Sequence, residues 1–161
     1  MDYEEIDIYW EGPFDITYEN EKYHLSSDVC DELREAHGFY QIYGDHPVYG
    51  QNVLLYIGET KPSLNNERGF AARMKEHFSG RFWHHCGLSV RFGRSFINGL
   101  EVIDTKTICA IESLLIASNM PALNKDFLDN SNDNSLNMIV RNWNFRGSIV
   151  SECSGKYWAK R

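Results

Sequence analysis

Between Gly38 and Asn119 the spacing of apolar positions along the chain changes several times. Residues 38–43, Gly-Phe-Tyr-Gln-Ile-Tyr, are aromatic and β-branched and suit a half-buried strand. Turn-forming residues follow, from Gly44-Asp45-His46-Pro47 to Gly50-Gln51-Asn52, and Val53-Leu54-Leu55-Tyr56-Ile57 then predicts a second strand. The two make a β-hairpin with a long loop, punctuated by Gly58. From Gly69 to Ser79 the period lengthens: Phe70, Met74 and Phe78 recur every four residues, the apolar stripe of a short amphipathic helix. Leu88 to Phe92 reads as a third strand. Residues 106–119 form a second helix on Ile108, Ile111, Leu115 and Ile116, stopped by Pro121. Strand, strand, helix, strand, helix predicts an α/β (α+β) fold, a small antiparallel three-stranded sheet core flanked by helices.

The flanks are less regular. Ile6, Ile8 and Trp10 suggest a short strand, Gly12-Pro13 a turn, and Phe14, Ile16 and Tyr18 resume the alternation. The run Asp129-Asn130-Ser131-Asn132-Asp133-Asn134-Ser135 reads as a solvated loop. The expected divisions are therefore an acidic amino-terminal extension packed on the domain (1–37), a core (38–128), and an Asn-rich loop with a carboxy-terminal extension (129–161).

Length changes the picture only by fixing scale. At 161 residues one domain can bury a core without disulfides or metal, and 42% hydrophobic residues exclude general disorder. No run of about 18 apolar residues occurs, and Met1-Asp2-Tyr3-Glu4-Glu5 is acidic where a signal peptide would be basic, so a cytoplasmic protein is expected, with no membrane partner. Cys30, Cys86, Cys109 and Cys153 are too scattered for a zinc or redox motif and read as free thiols.

Charge is uneven. The net value is −7, yet residues 1–37 hold twelve acidic side chains against Lys22 and Arg34, whereas residues 61–94 carry Lys61, Arg68, Arg73, Lys75, Arg81, Arg91 and Arg94 against Glu67 and Glu76. An acidic front precedes a basic middle.

Three sets of residues look chemical. Glu112 lies on a largely apolar helical face between Ile108 and Leu115/Ile116, where a carboxylate pairs with an arginine at the edge of the stripe, holds a metal, serves as a catalytic acid or turns to solvent. Arg73 and His77, four apart on the 69–79 helix, share a face and could clamp a phosphate as readily as face solvent. Tyr40 and Tyr56 each fall on a predicted hairpin strand, where tyrosine is common for packing alone.

Taken in order, these residues resemble the GIY-YIG nuclease superfamily. Gly38-Phe39-Tyr40 is similar to its first signature, with Phe39 for isoleucine, and Tyr56-Ile57-Gly58 matches the second. Arg73-x-x-x-His77 matches the catalytic arginine and the residue four later, Glu112 the metal-binding glutamate, and Asn124, in Pro121-Ala122-Leu123-Asn124, the asparagine twelve further on. The likeness covers about residues 38–127. It departs at Glu59, where some relatives carry a lysine, with Lys61 and Arg68 nearby as substitutes, and in longer segments between the signatures and before Arg73.

The resemblance implies a nuclease core and a metal-dependent DNA endonuclease. One hard cation, Mg²⁺ or Mn²⁺, would sit on Glu112 and stay mostly hydrated. Arg73 would meet charge on the phosphoryl oxygens, and lysine would replace its planar fork poorly. Tyr40 or Tyr56 would act as general base, with His77 lending its field, and Asn124 would position the site or touch the backbone. Lys61, Arg68, Lys75 and Arg81 would track the phosphates of double-stranded DNA. Cutting both strands would need a dimer, a protein partner or two binding events. The competing reading is a catalytically silent nucleic-acid-binding or interaction module; an acidic DNA mimic gains only from the net charge.

Overall fold

A computed structural model of the chain describes residues 2–62, 69–80, 82 and 86–159. The alternation of the first residues does not stop at Gly12-Pro13: β1 runs unbroken over Glu4–Glu19 and turns back into β2 (Lys22–Leu25). A short α1 (Asp31–Glu35) leads to the predicted hairpin, β3 (Gly38–His46) and β4 (Gly50–Thr60). Then come α2 (Phe70–Ser79), β5 (Ser89–Ile97), β6 (Leu100–Glu101) and α3 (Thr105–Asn119). A single 3-10 turn at Asp133–Ser135, β7 (Met138–Asn144), β8 (Glu152–Ser154) and α4 (Gly155–Trp158) complete the order.

The expected three-stranded antiparallel sheet flanked by helices is overturned. One eight-stranded sheet runs β4-β3-β5-β1-β7-β8, with β2 on β1 and β6 on β5, and it is mixed because β1 and β7 are parallel. The fold is strand-dominated and curled into a half-barrel, and the four helices among the described residues are short. The three predicted strands do lie side by side as β4-β3-β5. What local pattern could not give is their neighbour: β1 pairs Asp7 with Phe96 on one side and Glu4 with Met138 on the other. β7 was invisible because Asn142 and Asn144 interrupt the apolar row begun by Met138 and Val140, and Asn142 is buried with its side chain accepting from Trp10 Nε1 and donating to Val150 O, each at 2.9 Å.

Two cores follow from the pleat. Ile6, Ile8 and Trp10 of β1, Phe39 of β3, Ile57 of β4 and Val140 of β7 face α3 through Ile108, Ile111, Leu114 and Leu115. On the opposite face Tyr40, Ile42, Leu55, Val90 and Phe92 meet Leu33 of α1 and Phe70, Met74 and Phe78 of α2. The strands cross between these cores at irregularities. A one-residue shift between Glu11 and Phe14 sends Phe14 and Ile16 to the α2 side, although Trp10 faces α3. In β4, Ile42 pairs with Tyr56 and Tyr43 with Leu54, so Leu55 is the extra residue of a bulge, and Leu55 and Tyr56 both face α2.

α3 is capped by Asp104, whose carboxylate accepts from Thr107 N at 2.8 Å, and closes at Met120 with φ 48. The chain then runs along the outer edge of β4, Ala122 N bonding Leu54 O and Leu123 N bonding Leu55 O. The acidic front is stitched to the sheet: Glu5 pairs with Arg141 at 2.8 Å, and Arg94 reaches Glu11 and Glu32. Among the described residues no helix is long and apolar enough to cross a membrane.

Candidate active site

The site is built where β3, β4 and α2 meet. Tyr40 is wholly buried, and its hydroxyl lies 2.7 Å from His77 Nε2 and accepts from Arg73 Nε at 3.3 Å. Because Arg73 can only donate, the arrangement is satisfied when the Tyr40 hydroxyl donates a hydrogen bond to His77 Nε2 and the neutral imidazole carries its own proton on Nδ1. Tyr56 completes an aromatic triad, its ring centroid 6.2 Å from Tyr40 and 5.2 Å from His77. Phe82 closes the group from the far side, 5.9 Å from Tyr56 and 5.6 Å from His77.

Local sequence explains this convergence. Tyr40 stands opposite Gly58 in the β3–β4 register, and a β-carbon on Gly58 would run into the Tyr40 ring and hydroxyl. The glycine of Tyr56-Ile57-Gly58 thus lets Tyr40 lie across β4 toward α2. Arg73 and His77, on one face of α2, both meet its hydroxyl. Arg73 also donates to Glu76 Oε2 at 2.8 Å; both side chains are over a third exposed, so that pair orients the guanidinium more than it stabilises the fold.

Burial pushes Tyr40 far above the ordinary tyrosine range, with Tyr56 adding to it and Arg73 opposing it. The hydroxyl therefore keeps its proton at neutral pH unless His77 takes it.

Glu112 stands on α3 and is mostly buried. Burial raises its carboxyl from the ordinary 4.5 to about 7, helped by the charge of Glu59 and opposed by Lys61 and Arg73, with Asp126 a smaller contribution in the same direction as Glu59. It thus shares one electrostatic environment with Arg73, and its charge is also felt at Tyr40. Lys61 is 2.9 Å from Glu59 Oε1, and its ammonium is held charged first by that bond and further by Cys109 on α3. The other oxygen, Glu59 Oε2, is buried without a hydrogen-bond partner.

Asn124 is bonded to β4, as suits the first of its two expected roles, positioning the site or touching the phosphate backbone. It is 8% exposed, and its amide is engaged on both sides by one residue: Oδ1 accepts from Ile57 N at 2.9 Å and Nδ2 donates to Ile57 O at 2.9 Å. A side chain here does what a neighbouring strand's backbone would do, and it fixes the segment that carries Tyr56. Lys75 is exposed on α2 and lines a groove of the opposite helix face. Arg68 and Arg81 lie outside the described residues. Of the other basic residues, Arg91 donates to Phe145 O at 2.9 Å and Arg94 is paired with acids, so both serve the fold. Sequence reasoning passed over Glu59 as a contributor, although its place directly after Gly58 was the available signal, and it passed over Asp126 and Cys109.

Among the described residues no three His, Cys, Asp or Glu side chains are grouped closely enough to cage a metal. The donor chemistry still suits one hydrated hard cation. Glu112 is an oxygen donor whose negative charge lacks solvent, and Glu59 Oε2 is a buried acceptor in the same field. No family model matches the chain, and neither a curated protein nor a solved structure matches it.

Proposed function

We propose that the chain is a metal-dependent endonuclease that hydrolyses DNA phosphodiester bonds, with the chemistry that its GIY-YIG-like motifs imply. The observation that supports this most is the bonding of Tyr40 to both Arg73 and His77, beside Tyr56 and within the field of Glu112. Packing alone does not ask for an arginine and a histidine on one buried hydroxyl.

In this reading Arg73, tethered through Nε and Nη1, presents its planar guanidinium to the non-bridging oxygens and stabilises charge as it grows there. Tyr40 orients the attacking water. It accepts the water's proton as it passes its own to His77 Nε2, 2.7 Å away, so the relay never requires a free tyrosinate at neutral pH. Tyr56, stacked on Tyr40 and tilted against His77, holds their geometry and is the second candidate for the base. Glu112 would hold a single Mg²⁺ or Mn²⁺, which when bound supplies Lewis-acid relief of the leaving oxygen's charge. Lys61 lies beside that position and can meet a flanking phosphate. Asn124 acts at one remove, by fixing Ile57.

The test is cleavage of supercoiled plasmid by the full chain with Mg²⁺, Mn²⁺ or EDTA, set beside Glu112→Ala. Metal-dependent cutting that is lost in the variant supports the reading, and nicked against linear product separates single from paired cuts. A folded wild type that binds DNA with a salt-dependent affinity yet cuts under no metal overturns it in favour of a catalytically silent binding module.

A further inference from the structure

The helix that carries Arg73 and His77 has a second working face. Between α2 and the β1–β2 hairpin lies a groove of about 720 Å³, a size that admits a nucleotide. Its walls are Tyr18, Tyr23, Met74 and Phe78. Lys22, His24, Arg34 and Lys75 stand around it, opposed by one acid, Glu21. Lys22, His24 and Arg34 come from the amino-terminal region that holds most of the chain's carboxylates, and Lys75 comes from α2.

The aromatic wall is placed rather than incidental. Asn20 and Glu21 have φ of 51 and 60, a tight turn that sets Tyr18 opposite Tyr23 in register. The two rings lie 4.8 Å apart, yet Tyr18 remains 61% exposed, which leaves much of its surface open to another flat group. From there ring contacts lead inward: Tyr23 to Phe78 at 5.8 Å, Phe78 to Phe82 at 6.4 Å, and Phe82 to Tyr56 and His77. The groove and the catalytic cluster thus abut through one aromatic wall.

We propose that this groove seats an unpaired nucleotide of a single-stranded DNA segment. The base stacks on Tyr18, and its phosphates are met by Lys22 and Lys75. Stacking gives sequence-tolerant affinity, and flexible lysines on an exposed rim suit a backbone that is followed rather than read. A stacked duplex keeps its bases covered and offers none to Tyr18, so the groove favours single strands, overhangs or flaps over intact helix. The inference rests on the nuclease reading, and it names the form of substrate that the enzyme takes beside the cut.

Binding is measured on the full chain in EDTA, where no metal-dependent cutting intervenes. The probes are a fluorescein-labelled single strand of about 12 nucleotides and a blunt duplex of that strand annealed to its complement, followed by fluorescence anisotropy. Tyr18→Ala changes no charge, so general attraction to a polyanion leaves it unmoved. It should weaken single-strand binding about fivefold to a hundredfold and duplex binding little. Lys22→Ala with Lys75→Ala should lower the salt slope for the single strand by about 1.4, while the same change at the exposed Lys106 and Lys156 does not. Wild-type affinity for the single strand in Tyr18→Ala, or no single-strand binding by the wild type, overturns the groove whatever the plasmid assay gives. Loss in Tyr18→Ala with no cleavage under any metal keeps the groove and removes the nuclease reading.

Discussion

Replacing Glu112 by glutamine should separate what this carboxylate does for the fold from what it does for chemistry. Burial, reinforced by Glu59, holds its pKa at about 7 against an ordinary 4.5. A group whose folded value lies above its unfolded value favours folding while protonated. That contribution is present below the unfolded value and is lost as pH rises through about 7. Above that point the metal-free protein carries a penalty that approaches the full difference between the two states, about 3 kcal/mol. Glutamine has nearly the same shape and never ionises. Glu112→Gln should therefore be more stable than wild type by about 3 kcal/mol near pH 8.5 and by about 1 kcal/mol or less near pH 5. Urea denaturation in EDTA, followed by the fluorescence of the four tryptophans, Trp10 among them fully buried, reads both values. Adding Mg²⁺ at the higher pH should narrow the gap, because an ion bound only to the folded wild type stabilises it by mass action. The same variant should lose cleavage at every pH. A gap that does not grow with pH, or a wild type that is the more stable near pH 8.5 without metal, refutes the reasoning.

Gly58→Ala should force Tyr40 off His77 and Arg73, costing about 1–3 kcal/mol in a melt and most of the cleavage together. Asn124→Ala strips Ile57 of two partners in a buried place and should cost about 2–3 kcal/mol by urea denaturation; a melt equal to wild type would show that Asn124 does not hold β4. Arg73→Lys keeps the charge but cannot hold Tyr40 and Glu76 together with a planar fork, so cleavage should fall about a hundredfold with little change in melting. Tyr40→Phe leaves His77 Nε2 without its 2.7 Å partner and should reduce cleavage about a hundredfold or more, which a plasmid assay reads directly.

How far the amino-acid sequence foretells these features depends on the range of the contacts behind them. Helix α2 is marked by Phe70, Met74 and Phe78, and it begins and ends within a residue of the predicted span, because period-four burial is a local property. The same periodicity puts Arg73 and His77 on one face. That their common target is the Tyr40 hydroxyl depends on Gly58 being opposite Tyr40, a matter of cross-strand register. The role of Asn124 is hidden for a related reason. Its spacing from Glu112 suggests chemistry, whereas the bonds it makes are to Ile57, on a strand that comes far earlier in the chain. The sheet is the largest gap. Ile6, Ile8 and Trp10 announce a strand, but nothing near them says that it stands in the middle, with β5 and β7 on either side.

That central position bears on how the chain must assemble. β1 comes first among the sheet's strands, yet both long partners that flank it lie far downstream, the farther one after α3 and the Asn-rich turn. Its apolar row therefore stays uncovered while the intervening chain organises, and closure of very large loops precedes the contacts that reward it. Such non-local pairing slows folding and exposes the waiting species to aggregation. On a ribosome the hairpin of β3 and β4 can form and wait, but the sheet that supports it cannot close until Met138 to Asn144 has emerged.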